Sequence, residues 1–157
     1  MPARSDHTPL AGAARACVEN LEARKLLHGE ASLDGGALTI TGSDEADVVT
    51  VVRSGANLLV NVNDHQYSFN LSAIRSAFIT LGAGDDSVQF QQTGGLLEFN
   101  TRVYAGAGND TIVTGAGRDR VYGEDGDDTV NTYTDRDTVY GERGNDNLRG
   151  GSSTDLL

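Results

Sequence analysis

Six aspartates stand nine residues apart in the last third of this chain: Asp110, Asp119, Asp128, Asp137, Asp146 and Asp155. Two places after each comes an apolar side chain: Ile112, Val121, Val130, Val139, Leu148 and Leu157. Such a series suits the collection of a hard cation better than acid–base catalysis, which needs one pair of carboxyls in different surroundings rather than identical groups at equal spacing. Gly108, Gly126 and Gly144 lie two residues before alternate aspartates, with Asn109, Asp127 and Asn145 between and Asp125 nearby. Tight glycine turns free their carbonyls from sheet pairing, and calcium accepts both carboxylate and carbonyl oxygens in a flexible shell. Residues 105–157 hold 11 acidic side chains against 5 Arg, a net −6, so folding without a metal is expected to be poor.

The elements that must position these groups follow from a longer period. Ala105–Tyr122 set above Gly123–Tyr140 gives eight identities in 18 places, and Gly141–Leu157 begins a third copy. In each nine, a Gly-x-x-Gly-x-Asp stretch reverses the chain, because glycine accepts positive φ without steric cost. The next three residues make a short strand whose middle side chain points inward. Two nines complete one winding, so equivalent strands stack every 18 residues over a thin apolar core. One winding cannot bury that core alone, hence the repetition. The Val-Tyr pairs at 103/104, 121/122 and 139/140 continue the stacking, with Tyr104, Tyr122 and Tyr140 expected as an outward ladder.

The two rows of turns differ. Row one carries Asp110, Asp128 and Asp146 in glycine-containing turns, and calcium is expected between Asp110 and Asp128 and between Asp128 and Asp146. Row two carries Asp119, Asp137 and Asp155; there Arg118 and Arg136 adjoin the aspartate, and a guanidinium could neutralise it without metal. Asp119 and Asp137 nevertheless remain candidate ligands. Asp86, in Gly82–Asp86, lies 24 residues before Asp110 and joins row one only if the intervening chain absorbs six residues more than a winding.

Ala105–Val113, Gly123–Asn131 and Gly141–Arg149 resemble the repeats-in-toxin (RTX, haemolysin-type) calcium-binding nonapeptide, G-G-x-G-x-D-x-U-x with U apolar; Leu81–Gln89 is a further copy and Gly42–Thr50 a diverged one. The resemblance implies a parallel β-roll in which each calcium lies between one turn and the next stacked on it. The fold expected is therefore all-β: a β-solenoid over 82–157, a β-meander cap over 37–81, and a tail with a short helix over 1–36.

In the cap, strands are expected at Ala37–Thr41, Val48–Arg53, Leu58–Val62, Tyr67–Leu71 and Phe78–Leu81, while Gly29–Gly36 reads as a linker. Leu10–Leu27 has helical periodicity, and its Val18–Leu27 segment resembles an element near the start of many exported bacterial surface proteins. No secretory h-region is read at the N-terminus, and no stretch is apolar enough for a membrane span. A net charge of −11 argues against nucleic acid as partner. Cys17 is the only cysteine, and His7, His28 and His65 are scattered, so no catalytic constellation is read. The expected function is non-catalytic calcium binding by an extracellular or cell-surface module. The alternatives are an adhesion or carbohydrate-binding scaffold using the tyrosine face, with a surface glycan or protein as partner, and a secretion or folding appendage of a larger enzyme.

Overall fold

A computed structural model describes residues 29–157; the expected N-terminal helix, Cys17, His7 and His28 lie outside the described residues. Among the described residues, thirteen strands form two sheets. The first sheet contains β1 (Glu30–Asp34), β2 (Ala37–Thr41), β6 (Ser76–Ala83), β8 (Asn100–Ala107), β10 (Arg120–Asp125) and β12 (Thr138–Arg143), in that spatial order. The second runs from β13 (Asn147–Arg149) through β11 (Thr129–Asn131), β9 (Thr111–Val113), β7 (Ser87–Gln91) and β3 (Val48–Ser54) to β4 (Asn57–Val62) and β5 (His65–Asn70).

From β6 onward the chain alternates between sheets and every pairing is parallel. Val103, Val121 and Val139 lie in register, as do Ile112, Val130 and Leu148. The 18-residue period thus becomes a two-sheet winding in which alternate residues point into a narrow core: Val103, Ile112, Val121 and Val130 are fully buried. Leu148 is half-buried, whereas Leu157, expected inside, is exposed. The Asp86 question is settled by β6 and β7, which pair with β8 and β9 at a 24-residue offset. The surplus is taken up on the row-two side, where a 3₁₀ turn at Gln92–Gly94 lengthens the passage from β7 to β8.

The strands expected between 37 and 81 are present, with β3, β4 and β5 forming an antiparallel meander. Yet β2 and β3 also pair in parallel with β6 and β7, so the first winding begins at Ala37. The Gly29–Gly36 linker is a correction: Glu30–Asp34 is a strand paired antiparallel with β2. Its glycines make the two-residue hairpin loop, Gly35 and Gly36 both having positive φ, as such a loop requires. Here Leu38, Ile40, Val49, Val51, Leu58, Val60 and Val62 are wholly buried, a thicker apolar core than the later windings possess.

Candidate metal-binding turns

In row one the winding aligns five aspartates. The Asp47 N–H donates to Asp86 Oδ1 at 2.7 Å, that of Asp86 to Asp110 at 2.8 Å, that of Asp110 to Asp128 at 2.8 Å and that of Asp128 to Asp146 at 3.0 Å. One oxygen of each later carboxyl is thereby fixed. The other oxygen, Oδ2 of Asp86, Asp110 and Asp128, is buried without a hydrogen-bond partner. A buried carboxylate oxygen left so is costly unless protonated or bound to a cation. Burial first, and then the neighbouring aspartates, push the Asp86 carboxyl up to about 7 and that of Asp110 up to about 6; Asp128 is raised for the same reasons.

Asp47 ends the row differently. Its Oδ2 accepts from the Ser43 N–H and hydroxyl, and its Oδ1 from the Asn63 amide. This carboxylate is satisfied by protein groups alone. It lies in the diverged Gly42–Thr50 copy, which identifies the turn but not the role of Asn63, brought over from 16 residues away by the β3–β4 hairpin.

The glycines explain why the row is regular. Gly84, Gly108, Gly126 and Gly144 all have positive φ, and a Cβ on Gly126 would lie 1.9 Å from the Gly108 carbonyl oxygen. Each turn rests directly on the backbone of the one before. Asn109, Asp127 and Asn145 form an outer, exposed ladder with Asp85: Asn109 N–H donates to Asp85 Oδ1, Asp127 to Asn109 and Asn145 to Asp127. Carboxylates and amides alternate in it, so no two charges are neighbours. Asp125 is turned outward and pairs with Arg143 at 3.2 Å.

Row two carries the same kind of ladder. The Thr101 N–H donates to Asp119 Oδ1, that of Asp119 to Asp137 and that of Asp137 to Asp155. The expected guanidinium neutralisation is corrected: Arg118 and Arg136 are exposed, the buried Asp119 and Asp137 face inward, and no ion pair joins them. Successive residues of an extended chain point to opposite sides, so an arginine next to an inward aspartate must face out. Thr114 and Thr132, buried at the first place of their row-two nines, stand beside Asp119 and Asp137. Burial holds the Asp119 carboxyl up at about 7, while the Thr114 and Thr101 hydroxyls pull it down; Asp137 is raised by burial and lowered in part by Thr132. The Thr132 hydroxyl donates to the Arg149 carbonyl, those of Thr101 and Thr114 have no hydrogen-bond partner, and Oδ2 of both aspartates is unsatisfied.

In row one, the place of those threonines is taken by Gly123 and Gly141, where a Cβ would meet Oδ2 of Asp128 and Asp146. The signal in the sequence that sets row two apart is threonine where the nonapeptide has glycine, rather than the adjoining arginines. Among the described residues, no group of three or more Asp, Glu, His or Cys side chains converges on one point. A calcium site here must therefore draw on turn carbonyls as well as carboxylates, and the orphaned Oδ2 atoms fit such a mixed shell.

Residues 98–130 and 122–157 match the profile of the RTX calcium-binding nonapeptide repeat, in four copies. No curated protein and no solved structure matches the chain.

Proposed function

From the RTX repeats that residues 98–157 carry, which imply calcium binding, we propose that this chain is a non-catalytic calcium module that works outside the cell or at its surface. One observation carries the reading: the file of buried Oδ2 atoms at Asp86, Asp110 and Asp128, each without a protein partner. Calcium would sit between Asp110 and Asp128 and between Asp128 and Asp146, with a third ion between Asp86 and Asp110, using turn carbonyls around Gly108, Gly126 and Gly144. Row two, where threonine hydroxyls stand beside Asp119 and Asp137, is the weaker edge. An extracellular setting is favoured because calcium is plentiful there, so a module of modest affinity folds after export and stays loose before it.

The test is a calcium titration followed by far-UV circular dichroism and calorimetry, with EDTA and magnesium as controls. Gain of β-structure together with binding heat is expected for calcium only. β-Structure untouched by EDTA, with no heat on adding calcium, would end the proposal.

A further inference from the structure

The outer face of the first sheet holds a feature that calcium binding does not use. Arg102 and Arg120 lie in register on β8 and β10, and Arg118 and Arg136 enter the same face from the row-two turns. These four, of only twelve Lys and Arg in a chain of net charge −11, line one open groove of about 490 Å³. All four are exposed, and none has a carboxylate partner among the described residues. The one carboxyl in the lining, Asp119, is 2% exposed and belongs to the inward ladder.

Beside the groove, in the next outward row, stand Tyr104, Tyr122 and Tyr140. Their rings stack at 4.7 and 5.1 Å between centroids, and Phe78 packs on Tyr104. Because the rings cover one another, the inner ones offer edges and hydroxyls rather than free faces. That disfavours a ligand held by base or sugar stacking. Guanidinium forks suit carboxylate or sulfate oxygens, and the tyrosine hydroxyls, Asn100 and Thr138 suit the hydroxyls of a polyol.

We infer that the Arg102/Arg118/Arg120/Arg136 groove binds an acidic glycan, a sugar chain bearing carboxylate or sulfate groups, along the solenoid axis. In-register arginines repeat at the strand spacing, roughly 4.8 Å, so the charges form a row rather than a single point. The chemistry is ionic and polar, and it stands apart from the calcium reading.

The test uses the full chain in calcium, with folding verified by circular dichroism, and labelled oligosaccharides followed by anisotropy. The probes are oligogalacturonate, a heparin oligosaccharide, a neutral malto-oligosaccharide and oligo-dT. One or both acidic sugars should bind, more weakly at high salt, and the neutral sugar should not. The double variant R102Q/R120Q should weaken binding by about tenfold or more while its calcium-dependent folding is retained; D64N, at an exposed position in the turn between β4 and β5, should leave binding unchanged. Absence of binding by the folded protein, equal binding by the double variant (as for a glycan bridged through calcium), equal binding of the neutral sugar, or tighter binding of oligo-dT would each overturn it.

Discussion

The two edges of the winding have the same aspartate ladder and different surroundings. On row one, Asp110 and Asp128 sit in turns with a left-handed glycine at Gly108 and Gly126, and glycine at 123 and 141 leaves the far carboxylate oxygens of Asp128 and Asp146 bare of neighbouring side chains. On row two, Asp119 and Asp137 have Thr114 and Thr132 beside them, and positive φ is found at Asp135 and Ser153, one winding apart, and at Gly151, but not at Gly115 or Gly117. A ladder of N–H to carboxyl bonds therefore builds both edges, and the residue beside Oδ2 differs between them: glycine at Asp128 and Asp146, threonine at Asp119 and Asp137, with Oδ2 of Asp119, Asp128 and Asp137 alike left without a hydrogen bond.

The largest expected effect separates both edges from the N-terminal windings. EDTA should abolish most β-structure of residues 98–157 and leave amide-exchange protection in β2, β3 and β4, where seven aliphatic side chains are fully buried. Uniform loss along the chain would show that the thicker core does not stand by itself.

Next comes the contrast between edges. Asp128→Ala removes a carboxyl shared by two proposed ions and should raise the calcium midpoint at least about tenfold; Asp137→Ala should raise it by a few-fold at most. Equal shifts in a calcium titration would sink the two-row assignment. Gly126→Ala forces a side chain into the Gly108 carbonyl at positive φ and should cost roughly 2–3 kcal/mol, seen as a lowered denaturation midpoint at saturating calcium.

The effect of pH bears on both edges. In the folded chain, Asp86 and Asp119 titrate near 7 and Asp110 near 6, above an ordinary value of 3.8. Below that ordinary value, folded and unfolded chains are both protonated. As pH rises from there to about 7 the unfolded chain ionises first, so metal-free stability falls, at about 1.4 kcal/mol for each unit of displacement. The metal-free protein should show more β-structure at about pH 5 than at about pH 8, and calcium should bind less tightly at the lower pH because it competes with protons. The smallest effect belongs to Thr132→Val, which removes a buried hydroxyl that donates to the Arg149 carbonyl and should cost about 1 kcal/mol in calcium with little change in the calcium midpoint.

Much of this was legible from period alone. Eight identities over 18 places located the stacking, the inward valines and the tyrosine ladder, because a solenoid converts sequence period directly into register. The chemistry beside each carboxyl was less legible. Arg118 and Arg136 adjoin aspartates in sequence but lie across the chain from them, as side-chain alternation along an extended segment requires. Gly35 and Gly36 read as part of a linker because a short strand with only Ala31 and Leu33 turned inward has little apolar signature. Asn63 could not be found by spacing, since only the β3–β4 hairpin brings it to Asp47.

The 92–99 passage has one more consequence. Its six surplus residues, the difference between the 24-residue offset of β6 and β8 and the 18-residue offset of β8 and β10, leave the row-one contacts of Asp86 and Asp110 intact. Length can be added on the row-two side without disturbing the other edge, whereas an insertion between Gly108 and Asp110 would part turns that rest on one another's backbone. Evolution therefore has one permissive margin on which to graft new loops, and the margin opposite, with its turns in backbone contact, must be inherited whole.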